Sequence, residues 1–116
     1  MDILNVLQAF SALSQETRLT VFRLLIKAGP KGMTAGDISK KLEVRQNTLS
    51  TNLSILLNAD LIKNKREGRF IIYSVNNDGL KNLLAFLLED CCGGQPEQCR
   101  TLINDISSAC MKESYK

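Results

Sequence analysis

The sequence predicts a small, mainly helical α+β fold of five to six helices and one two-stranded β-hairpin, and three observations predict it. Apolar residues recur at helical spacing through most of the 116 residues. The recurrence breaks once, between residues 61 and 75, where runs of Ile, Tyr and Val flank a glycine. With 44% hydrophobic residues, the chain can bury one core over residues 1–116, small enough to gain stability from a second copy.

Taken in order, Ile3, Val6, Leu7, Phe10 and Leu13 give a first helix over residues 3–13 with one apolar face. Ser14 suits an N-cap, and Thr17 to Lys27 forms a second helix with Leu19, Val21, Phe22, Leu25 and Ile26, ended by Gly29-Pro30. Thr34 caps a short third helix through about Leu42, with Ile38 and Leu42 inward. After a brief Glu43-Val44 turn, a fourth helix runs from about Arg45 to Asn58. At 100° per residue its Leu49, Leu53, Leu56 and Leu57 share one arc, with Asn47, Thr48, Thr51 and Ser54 outside it.

Segments 61–65 and 69–75 read as strands joined by Arg66-Glu67-Gly68, where Gly68 permits a positive φ. Asp78 to Glu89 returns to helix, and its Leu80, Leu83, Leu84, Phe86, Leu87 and Leu88 exceed what one thin apolar face needs. Burial between subunits accounts for that excess, and ordinary core packing is the alternative. Gly93-Gly94 breaks the chain, and Pro96 opens a last helix holding Leu102, Ile103, Ile106 and Cys110 at helical spacing.

A short helix, a tight turn and a second helix with a polar face form a helix-turn-helix, and the hairpin beside it makes it a winged one. Charge agrees: residues 18–75 hold 11 Lys and Arg against 4 Asp and Glu, whereas the remainder holds 4 against 8. A basic middle between acidic ends suits a surface facing a polyanion. Asn47, Thr48, Ser50 and Thr51 are the expected DNA-facing residues of the fourth helix, joined by Asn52 if the helix is rotated, Asn offering a bidentate pair to adenine. Lys63, Lys65, Arg66 and Arg69 are the expected wing contacts to the phosphate backbone or minor groove. The expected partner is double-stranded DNA.

No apolar run approaches the roughly 18 residues that span a bilayer, and MDILNVLQAF lacks the pattern of a signal peptide, so no membrane partner and a cytoplasmic location are expected. Four cysteines there would be reduced, which turns their clustering towards metal or redox chemistry. With no His and no convincing anion-binding loop beside a thiol, an enzyme is not expected.

Three stretches resemble the ArsR/SmtB family of metal-responsive repressors: Phe10 to Leu19 (FSALSQETRL), Leu49 to Leu53 (LSTNL) and Glu67 to Tyr73 (EGRFIIY). The resemblance implies a winged-helix homodimer formed through the first and fifth helices and bound to a palindromic operator. Two-fold symmetry would set its half-sites about one helical turn, roughly 34 Å, apart. Asn52 stands where the family often has His, so the operator contacts differ there. The family's third-helix cysteines and fifth-helix His and carboxylate ligands have no counterpart: residues 33–38 read MTAGDI, and the chain contains no His.

The thiols instead cluster as Cys91, Cys92 and Cys99, within a ligand-binding segment of about residues 89–110. Three thiolates without an imidazole suit a three-coordinate, thiol-seeking ion, and arsenite and antimonite both fit. The seven-residue step from Cys92 to Cys99 extends about 23 Å at most, and two glycines let it fold back. The vicinal pair and third Cys also resemble those of arsenic-responsive members of the family, which implies arsenite as the effector. By that reading the ion draws the Cys99 segment onto the end of the fifth helix and releases DNA. Cys110 aligns with the apolar face of the last helix as a buried thiol; as a fourth ligand it would favour zinc or cadmium. Two alternatives stand beside arsenite release: a redox or persulfide-sensing repressor of the same fold bridging Cys91 or Cys92 to Cys99, and a metal carrier without DNA activity.

Overall fold

A computed structural model gives the fold of residues 2–89 and 91–113, leaving aside the side chains of 91, 92 and 111–113. Helix α1 spans Ile3–Leu13, with the Asp2 carboxylate accepting from the Asn5 amide as its N-cap. Helix α2 spans Glu16–Ala28. Its cap is Gln15, whose Oε1 accepts from the Arg18 amide at 2.9 Å; Ser14, expected in that role, instead closes α1 by donating from its backbone and hydroxyl to the Ser11 carbonyl. Both residues can bond to a neighbouring backbone group, and the helix start is one residue earlier than the apolar pattern implied.

A 3₁₀ turn at Gly29–Lys31 leads to strand β1, Met33–Thr34, and then to α3, Ala35–Leu42, capped as expected by the Thr34 hydroxyl. The turn after α3 needs one residue in the left-handed region, and Glu43 takes it at φ 55°. Ser39 fastens that turn: its carbonyl accepts from the Val44 amide, and its hydroxyl donates to the Val44 carbonyl. Helix α4 then runs Gln46–Asn58.

Strands β2 (Ile62–Glu67) and β3 (Phe70–Val75) form the expected hairpin, joined by the two-residue loop Gly68-Arg69 with Gly68 at φ 63°. Strand β2 reaches two residues closer to the tip than the expected 61–65, and β3 begins one residue later than the expected 69–75. Strand β1 pairs antiparallel with β3, Met33 opposite Tyr73 and Thr34 opposite Ile72, so the sheet has three strands in the order β1-β3-β2. Helix α5 spans Asn77–Leu87, α6 is the four-residue turn Cys91–Gly94, and α7 spans Pro96–Glu113. Gly93 and Gly94 therefore end a helical turn with φ of 67° and 83° rather than simply breaking the chain.

The contacts form two compact units, Met1–Leu84 and Ala85–Lys116. In the first, Val6, Ala9 and Ala12 of α1, Val21, Phe22 and Leu25 of α2, Ile38 of α3 and Leu49, Leu53 and Leu56 of α4 are buried, with Leu61 and Ile62 joining from the sheet side. Gly79 permits the start of α5: a Cβ there would collide with the Asp60 carbonyl oxygen. In the second unit α6 packs against α7. Leu102, Ile103 and Ile106 of α7 are all more than a third exposed. Among the described residues no helix is long and apolar enough to cross a membrane.

Candidate nucleic-acid interface

Helix α4 separates its two faces cleanly. Leu49, Leu53 and Leu56 are buried, while Gln46, Asn47, Thr48, Ser50, Thr51 and Ser54 are exposed. Local bonds order part of that polar row, because the Asn47 Oδ1 accepts from the Thr48 amide at 2.9 Å and the Thr51 hydroxyl donates to the Asn47 carbonyl at 3.2 Å. The first turn has no side-chain cap from Arg45. Its amides and short hydroxyls are thus what α4 offers outward, the groups that a helix brings to phosphates and base edges.

Asn52, expected at the DNA face if the helix is rotated, turns inward instead. It is 7% exposed, and its Oδ1 accepts from the Arg18 Nη1 at 3.3 Å. The spacing explains this: residue 52 is three after Leu49 and four before Leu56, so the helix carries it into the apolar arc. The same spacing could have identified it in the sequence. Gln46 is exposed on the polar side of the same helix. It is not among the residues expected at the DNA face, yet it lines an open crevice with Ser50 of α4, Ala35 of α3 and Tyr73 of β3.

Lys63, Lys65, Arg66 and Arg69 are all exposed on the hairpin, but they do not form one surface. Register places Lys63, Lys65 and Glu67 opposite Ser74, Ile72 and Phe70 on one face, and Asn64 and Arg66 opposite Tyr73 and Ile71 on the other. Tyr73 borders the α4 crevice, so the Arg66 face is the one that continues from α4. Lys63 and Lys65 instead line a groove with Pro30 and Lys31. Lys65 is also drawn to Glu67 at 3.7 Å, an exposed pair of little energetic weight. Arg69 sits in the loop at the tip.

A helix-turn-helix domain family profile matches residues 13–64, from the end of α1 through α4 into β2. The transcriptional repressor SdpR of Bacillus subtilis is 38% identical over 79 residues, which cover 68% of this chain and 84% of that protein. The arsenical resistance operon repressor of Bacillus subtilis is 34% identical over 85 residues, covering 73% and 77%. The solved structure of an ArsR-like transcriptional regulator from Rhodococcus sp. RHA1 superposes with a TM-score of 0.66 at 25% identity, covering 89% of this chain and 92% of that one.

The chain belongs to the ArsR family of helix-turn-helix transcriptional regulators.

Within this ArsR-family chain the expected thiol site falls in the second unit. Cys99 is half-buried in α7 with a free thiol, and its amide donates to the Gln95 carbonyl at 3.4 Å. The side chains of Cys91 and Cys92 lie outside the described residues. Among those described, no three His, Cys, Asp or Glu gather as a metal site. Cys110, expected to be buried on the apolar face of the last helix, is exposed, because the Leu102, Ile103 and Ile106 stripe it extends is itself uncovered.

Proposed function

We propose that this chain is a cytoplasmic repressor, that it binds a two-fold symmetric operator as a homodimer, and that a thiol-seeking trivalent ion, arsenite before antimonite, releases it. The observation that carries the DNA half is the outward row Gln46, Asn47, Ser50 and Thr51 on α4, continuous through Tyr73 with the Arg66 face of the wing. A helix of this kind fits the major groove, with the wing against the adjoining backbone. Thr48, Arg69 and the two lysines Lys63 and Lys65 complete the proposed contact set.

The effector half rests on donor chemistry. Cys91, Cys92 and Cys99 supply three soft ligands to a chain without His, and an arsenical resistance repressor is among its relatives. Sensing is assigned to residues 89–110 of one domain spanning residues 1–116. The dimer rests on α1, whose Ile3, Leu4, Leu7 and Phe10 are exposed along one side, Leu4 by 73%.

The test is selection of binding sites from random duplexes, followed by operator binding in the presence of arsenite, antimonite, zinc, cadmium or peroxide. A palindromic site released by arsenite supports the proposal. Release by peroxide or persulfide but not arsenite would establish redox sensing in its place, and failure to select any duplex would support a metal carrier.

A further inference from the structure

Asn52 is a buried amide in the middle of an apolar row, where Leu49, Leu53 and Leu56 are each 2% exposed or less. An unpartnered amide there would be costly, so its bond from Arg18 matters. The Arg18 guanidinium that donates to Asn52 Oδ1 through Nη1 also donates through Nε to the Ala12 carbonyl at 2.7 Å. Ala12 lies in the last turn of α1, whose carbonyls have no partner within the helix. At its root, Arg18 is held by Gln15, which caps its amide. One planar fork, fixed at its base, therefore joins the end of α1 to the middle of α4.

Hydrophobic contact resists separation of two helices, but it is non-directional and resists rotation poorly. Hydrogen bonds to a rigid guanidinium are directional. We infer that Arg18 and Asn52 are positioning residues that fix the rotation of α4 relative to α1, and so hold Asn47, Ser50 and Thr51 in register with the groove. This rests on the reading that α4 meets DNA. It assigns Asn52 a role in operator affinity without contact to the operator.

The experiment compares Asn52→Leu, Asn52→Asp and Arg18→Met, and the Arg18→Met/Asn52→Leu double variant, in the full-length chain. Operator affinity is read by fluorescence anisotropy well below each variant's unfolding midpoint. Asn52→Leu and Arg18→Met should each weaken binding about tenfold, the scale of one lost hydrogen bond. The double variant should be no weaker than the weaker single one, because one linkage is broken in all three. Asn52→Asp keeps an acceptor for Arg18 and adds charge to that bond, so it should bind within about threefold of the original chain.

An aspartate that faced phosphates would instead be repelled, so Asn52→Asp binding as weakly as Asn52→Leu would show direct contact and overturn the inference. Additive losses, or normal operator affinity in Asn52→Leu, would overturn it too. If Asn52→Leu does not fold, weak binding by Arg18→Met beside intact binding by Asn52→Asp carries the result, and any other pairing contradicts it. Failure of the original chain to bind every selected duplex is a different outcome, and it would contradict the DNA-binding reading itself.

Discussion

Leu53 and Asn52 are neighbours on α4, both buried, and held in different ways: one as part of the apolar core, the other by a hydrogen bond from Arg18. Truncating Leu53→Ala leaves a cavity in the first unit and should lower its stability by about 2–5 kcal/mol in urea denaturation. Loss below about 1 kcal/mol would show that the surrounding helices close the space. The leucine row was legible because period and polarity agree. Asn52 would face DNA only with the helix rotated, and its place between Leu49 and Leu56 puts it inward. The partner was not readable: Arg18 is 34 residues away, and no local pattern announces that contact.

At the scale of elements, the hairpin shows where sequence reasoning loses resolution. Its existence followed from β-branched and aromatic runs around Gly68, but register did not, and a displacement of one residue moves every side chain to the opposite face. The four cations were therefore expected as one contact set, whereas pairing puts Lys63 and Lys65 on one face and Arg66 on the other. Arg66→Ala and Arg69→Ala should reduce operator affinity more than Lys63→Ala and Lys65→Ala, with each lost phosphate contact lowering the slope of log K against log salt by about 0.9. Equal losses for all four in a salt titration would mean that both faces of the wing contribute equally to DNA binding. Strand β1 escaped notice for a simpler reason: two residues, Met33 and Thr34, carry no periodicity.

For the whole molecule, the apolar surfaces that remain open are as informative as the core. Ile3, Leu4, Leu7 and Phe10 line α1, and Leu84 and Leu87 of α5 are half exposed, which fits the expectation that these two helices serve a second copy. Leu4→Glu together with Leu7→Glu should leave the fold of the chain intact, because both sites are exposed, while sedimentation shifts from dimer to monomer and operator binding falls. A dimer that persists in that variant would place the interface elsewhere. The thiol cluster was legible as chemistry, three soft donors without an imidazole, but its ligand geometry depends on how residues 89–99 fold, which spacing does not specify.

Operator release and ion capture meet in one measurement: anisotropy of a labelled operator bound to the reduced chain, titrated with arsenite, for the original sequence and for Cys99→Ser. Arsenite at stoichiometric concentration should release the operator, with affinity lowered about 5- to 150-fold in the original chain, as for a coupling of roughly 1–3 kcal/mol, and should not release it from Cys99→Ser. Stoichiometric arsenite binding with unchanged operator affinity, or an unaltered response in Cys99→Ser, would contradict this.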